Sequence, residues 1–84
     1  MQVITYDVVD PVGFHARPVS RLVQEANLFV SDIYINYKES SANLKSVFSI
    51  LALTIPVHAQ IKITINGEDE IIAKNHIEKV LSAL

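Results

Sequence analysis

Three observations predict an α+β fold, with one antiparallel sheet covered on one face by helices. Strand patterning recurs along the chain: Gln2 to Val9 is rich in β-branched residues, while Asp32 to Lys38 and Gln60 to Asn66 alternate apolar and polar residues. Between these segments the apolar period becomes helical. The elements follow one another as β-α-β-β-α-β-α without linker, repeat or low-complexity stretch, and a single sheet with helices on it is the economical packing of that order. The chain has 84 residues, 50% hydrophobic, and no Cys. One domain over residues 1–84 is expected, with a core that needs neither disulfide nor metal.

Each element has a local cause. In the loop Asp10-Pro11-Val12-Gly13, Pro11 cannot donate to a ladder and Gly13 permits a sharp turn. From Ala16 to about Leu28, Val19, Leu22, Val23 and Ala26 share one helical face, opposite Ser20, Arg21, Gln24 and Glu25. Pro18 falls in the first turn, where its missing N–H costs nothing. In Asp32 to Lys38, Ile33, Ile35 and Tyr37 point one way. Glu39-Ser40 is the expected turn into a short strand, Ser41 to Leu44. Ser46 is an N-cap candidate for a short helix from Val47 to about Leu53, which buries Ile50 and Leu53 and ends before Pro56. Ile61, Ile63 and Ile65 form the inner face of the last strand, and Asn66-Gly67 turns the chain. Glu68, Asp69 and Glu70 then put negative charge at the start of a helix running to the C-terminus. Its buried stripe is Ala73, Ile77, Val80, Leu81 and Leu84. The other sheet face, with Thr5, Tyr34, Asn36 and Lys62, is expected to be wetter.

Composition excludes several functions. Seven Lys and Arg face nine Asp and Glu, with no basic run, which argues against nucleic-acid binding. The aromatics Tyr6, Tyr34 and Tyr37 have no interleaved basic residues to make an RNA platform. The longest apolar stretch, Val47 to Val57, contains Ser49, Thr54 and Pro56 and falls short of the roughly 20 residues a membrane span needs. The N-terminus lacks a basic region and carries Asp7 and Asp10 early, so no signal peptide is expected and the cytoplasm is the expected location. His58 and His76 have no metal-ligand spacing, and no metal site is expected.

The chemistry concentrates in Gly13-Phe14-His15-Ala16-Arg17-Pro18. His15 falls at or just before a helix N-terminus, where free N–H groups, those of Ala16 and Arg17, point outward and the dipole end is positive. Arg17 adds a planar fork of donors matched to phosphate oxygens. The positive end keeps a ring nitrogen available, and imidazole is a competent nucleophile in group transfer. These features make an anion site and suggest a transient phosphoryl group on His15. A His at a helix start is more often only a polar end residue, and spacing alone does not separate the two.

The segment Gly13 to Ser20 closely resembles the active-site segment of HPr, the histidine-containing phosphocarrier family of the bacterial sugar phosphotransferase system. Asn43-Leu44-Lys45-Ser46-Val47-Phe48 resembles the stretch around that family's regulatory serine. Ile61 to Ile65 followed by Asn66-Gly67-Glu68-Asp69-Glu70 is similar to its last strand and the start of its last helix. The similarity covers essentially the whole chain, in order and spacing. It implies an open-faced β-sandwich: a four-stranded antiparallel sheet and three helices. It implies that enzyme I, charged by phosphoenolpyruvate, phosphorylates His15 at Nδ1, that Arg17 assists, and that the group passes to the A domains of enzymes II (enzyme IIA). It also implies a second modification at Ser46 in some relatives, by an HPr kinase/phosphorylase, which slows phosphorylation of the histidine and recruits a catabolite-control transcription factor. Val47, Phe48 and Leu51 match the family's docking patch, and Phe48 is the one expected to be most exposed.

Thr54, often His58 and frequently Ser49 stand where many family members have glycine. Thr in a left-handed cap is strained, so the helix is expected to end differently, at Pro56. Three functional classes compete: the phosphocarrier, with a nitrogen-related phosphorelay as a variant; a regulatory HPr-like protein acting through Ser46; and an interaction domain without chemistry. The presence of His15 favours the first. The covalent phosphoryl group is then the only cofactor, the chain has no substrate turnover of its own, and a monomer is expected.

Overall fold

The computed structural model describes residues 1–84. The elements are β1 (Gln2–Asp7), α1 (Ala16–Ala26), β2 (Asp32–Tyr37), β3 (Ser40–Asn43), α2 (Val47–Leu51), β4 (Gln60–Asn66) and α3 (Glu70–Ser82). The sheet order is β1-β4-β2-β3 and every pairing is antiparallel. Register lines Ile4 up with Ile63, Ile63 with Ile35 and Ile35 with Ala42, so one buried row crosses all four strands. Isoleucine suits these positions because a branched side chain packs well on a pleated surface.

The helices close this face. Val19, Leu22, Val23 and Ala26 of α1, Ile50 of α2, and Ala73, Ile77, Val80 and Leu81 of α3 are buried. They join the isoleucines in one cluster of 20 hydrophobic side chains. On the outer face Val3, Thr5, Tyr34 and Lys62 are exposed and Asn36 is half-buried. The open-faced sheet with three helices on one side is therefore the observed architecture.

Several boundaries differ from expectation. β1 stops at Asp7, because Val8 pairs with His58 and Ala59, where the neighbouring chain is not yet strand. α1 stops at Ala26 and leaves Leu28 exposed. The hairpin turns at Lys38-Glu39, with Lys38 at φ 54, instead of Glu39-Ser40. Ser40 pairs with Tyr37, and this register sets Ala42 against Ile35 on the core face. α2 is shorter than expected, and Leu53 is only half-buried. α3 ends at Ser82, yet Leu84 still packs against the core.

Asp69, the N-cap residue of α3, does not cap its own helix. Its carboxylate accepts from Val30 N–H and Ser31 N–H, both at 3.0 Å, and from the buried Ser31 hydroxyl. These bonds, that of the Ser31 hydroxyl foremost, hold Asp69 below the usual carboxylate range. A Cβ on Gly67 would come within 2.6 Å of the Ser31 hydroxyl oxygen, so the approach of these two loops requires glycine.

Candidate functional site: the start of helix α1

The loop between β1 and α1 is held at three points. Gly13 N–H donates to the Asp10 carbonyl at 2.8 Å, closing the turn that Pro11 predisposes. Val12 N–H donates to Asp10 Oδ1 at 2.9 Å. Phe14 buries its ring and its N–H donates to the Ile55 carbonyl at 2.9 Å. Gly13 has φ +88, and a Cβ there would lie 2.9 Å from the Ile55 oxygen. Glycine is thus needed for both its backbone angle and its contact with the segment after α2.

These anchors deliver His15 to the N-cap of α1 in extended backbone, with no side-chain cap bond to the helix. The His15 side chain retains 34% exposure, and its Nε2 lies 3.1 Å from Asp10 Oδ2. Asp10 is pulled below the usual carboxylate range, first by Val12 N–H and then by His15. The N–H groups of Ala16 and Arg17 donate to no protein acceptor, and Pro18 has none to offer. Arg17 is exposed and forms no ion pair. A shallow cleft beside it is lined by Asp10, Arg17, Pro18, Arg21, Ala83 and Leu84. A half-exposed imidazole, two open backbone donors and an unpaired guanidinium together can hold a tetrahedral anion at the ring.

From the sequence, Asp10 is a loop residue with no expected partner. The available signal was the Asp-Pro-Val-Gly turn, which folds the chain back and brings the carboxylate to a ring five residues on. Sequence patterning names residues that face a core more readily than those a turn folds together.

Ser46 stands at the other end of α1. Asn27, the C-cap of α1, donates to the Lys45 carbonyl at 3.4 Å, and Lys45 Nζ donates to the Phe29 carbonyl at 2.7 Å. Phe14, at the start of α1, is instead tied to Ile55 beyond α2. The 11-residue helix separates the two ends by about 16 Å. Ser46 does cap α2: its Oγ accepts from Ser49 N–H at 3.3 Å and donates to Ser49 Oγ at 3.0 Å. Phe48 is 87% exposed, whereas Val47 and Leu51 are half-buried against the core.

The expected stop at Pro56 is not found. α2 ends earlier, and Thr54 itself takes the left-handed conformation at φ 49, its N–H donating to the Leu51 carbonyl at 3.1 Å. His58 is also left-handed, at φ 70, with its N–H on the Val8 carbonyl at 2.8 Å. The backbone keeps the shape glycine would favour because tertiary bonds on both sides fix it, and the side chains bear the strain. His76 pairs with Glu25 at 3.2 Å and packs on Phe29, which joins α3 to α1. No three His, Asp or Glu side chains are grouped to hold a metal ion, and no helix is long and apolar enough to cross a membrane.

Residues 3–83 match the family model described as PTS HPr component phosphorylation site. Phosphocarrier protein HPr of Lysinibacillus sphaericus is 40% identical over 70 residues, covering 83% of this chain and 80% of that protein. The histidine-containing phosphocarrier protein of a Mycoplasma superposes with a TM-score of 0.95 at 34% identity, over 98% of this chain and 93% of that one. HPr-C-His from Thermoanaerobacter tengcongensis gives 0.91 at 28% identity, over 99% and 93% of the two chains. An HPr dimer from the same organism gives 0.77 at 28%, over 99% and 95%.

Proposed function

The chain belongs to the HPr family of phosphocarriers, and from that premise we propose that it relays a phosphoryl group in the sugar phosphotransferase system, accepting it on His15 from enzyme I and passing it to enzyme IIA domains. The observation that carries this reading is the open first turn of α1, where the half-exposed His15 ring adjoins two unpaired N–H groups and an unpaired Arg17. A phosphoryl group on the ring meets the Ala16 and Arg17 N–H groups and the positive helix end. Arg17 is free to spread its fork over the phosphoryl oxygens as charge develops.

Partner docking uses Phe48 as the protruding anchor, with Val47 and Leu51 contributing their uncovered edges. Ser46 is the regulatory position, acted on by a kinase/phosphorylase and read by a catabolite-control transcription factor. Because Lys45, next to Ser46, is tied to the C-terminal end of α1 while His15 stands at its start, a phosphate on Ser46 acts by placing negative charge on the docking surface. The protein works in the cytoplasm as a monomer, without substrate turnover or any cofactor beyond the covalent phosphoryl group.

The test is intact mass after incubation with enzyme I and phosphoenolpyruvate. Wild type gains one acid-labile phosphoryl group, and His15→Ala gains none while remaining folded. Equal uptake by both chains would refute the assignment.

A further inference from the structure

We propose that Asp10 is a positioning residue for the His15 ring: its carboxylate takes the Nε2 proton as a hydrogen bond and so presents Nδ1, with its lone pair, to the incoming phosphoryl group. The inference rests on the carrier reading above and concerns a residue that reading does not use.

The geometry carries it. The two carboxylate oxygens of Asp10 have separate duties: Oδ1 accepts from Val12 N–H at 2.9 Å, and Oδ2 lies 3.1 Å from His15 Nε2. An ionised carboxylate has no proton to give, so in this contact the ring nitrogen is the donor. A neutral imidazole carries one N–H; with that proton on Nε2, the lone pair is on Nδ1. The carboxylate itself is not free to swing. The Asp10 carbonyl accepts from Gly13 N–H at 2.8 Å, and Pro11 stiffens the turn between them. The ring is therefore held from its backbone by the Phe14 anchor and from its far edge by Asp10.

This arrangement also suits the transfer step. The Nδ1 lone pair forms the N–P bond as the bond from phosphorus to the donor's leaving atom breaks, and that electron pair departs with the donor. Nε2 keeps its proton, the ring becomes cationic, and Asp10 on the opposite edge faces that charge. Onward transfer reverses the step, and the ring leaves phosphorus as the same Nε2–H tautomer. A general precedent in physical terms is the carboxylate that orients a reacting imidazole in hydrolytic triads.

The competing role for Asp10 is closure of the turn through Val12 alone. Asp10→Asn separates the two. Its amide oxygen still accepts from Val12 N–H, but its NH₂ then faces Nε2 as a donor, which calls for the Nδ1–H tautomer. The experiment reads the ¹⁵N NMR shifts of the neutral His15 ring and the initial rate of phosphoryl acceptance from enzyme I, with thermal melting as the check on folding. The expected result is an Nε2–H pattern in wild type, a shift towards Nδ1–H in Asp10→Asn, acceptance slowed at least about tenfold, and an unchanged melting midpoint. An unchanged rate overturns the proposal, as does a slowed rate with an unchanged ¹⁵N pattern, which would assign the effect to the turn. A wild-type chain that takes up no phosphoryl group overturns the carrier reading itself, an outcome distinct from equal acceptance by both chains.

Discussion

At the start of α1 the N-cap residue is His15, whose side chain is engaged with Asp10 and leaves the N–H groups of Ala16 and Arg17 without protein acceptors. At the start of α2 the N-cap is Ser46, whose hydroxyl accepts from Ser49 N–H. The first helix leaves its end open and depends on tertiary support, through Phe14 in the core and Gly13 against Ile55. The second is a five-residue helix that needs its cap, because so short a helix is marginal without one. An uncapped end is thus compatible with a stable fold where burial on one side replaces the missing bonds, and those donors are then available to an anion.

Four substitutions break or sharpen this contrast. Arg17→Ala removes the guanidinium from the open end. Phosphoryl acceptance should fall by about 10²-fold, the scale of losing one donor to a developing charge, with stability unchanged because Arg17 is exposed and unpaired. Stopped-flow or quench-flow transfer from enzyme I measures it, and an unchanged rate would remove Arg17 from the step. At the closed end, Ser46→Ala should cost about 1 kcal/mol in urea denaturation and leave acceptance at His15 intact. Ser46→Asp keeps a capping oxygen and so keeps stability, yet its charge should slow acceptance. If both variants accept at the wild-type rate, Ser46 has a capping role only. The smallest effect is expected where α2 ends. Thr54→Gly relieves a left-handed β-branched residue and should stabilise the chain by about 0.5 to 1 kcal/mol, part of the relief being offset by the greater freedom of glycine in the unfolded chain. A lower denaturation midpoint in Thr54→Gly would show that the Thr side chain contributes more than its backbone costs.

Legibility in the sequence followed the range of the interaction. The isoleucine row was readable because alternation along Ile61, Ile63 and Ile65 is a local pattern that a one-sided sheet demands. His15, Ala16 and Arg17 were readable because a helix start and its dipole belong to consecutive residues. The Ser46 cap was readable for the same reason. The end of α2 was not. Local propensity sends the stop to Pro56, while hydrogen bonds from Phe14 to Ile55 and from His58 to Val8 hold the intervening backbone in a shape that Thr54 and His58 do not prefer. Among the docking candidates the exposure of Phe48 was readable, whereas the half-burial of both Val47 and Leu51 depended on which side of a single turn of helix met α1 and the sheet.

By itself, then, the sequence determined the element order, the core faces, the helix start that carries the candidate site and the resemblance to a phosphocarrier family, since each is written in residues close together along the chain or in motifs kept at set distances. Only the tertiary structure decided the partner of the His15 ring, the attachment of the Lys45-Ser46 segment to the end of α1 away from His15, and the strained turn at Thr54. The first rests on a local turn whose closure places Asp10 against the ring, and the other two on contacts between segments distant along the chain, whose energies outweigh local preference.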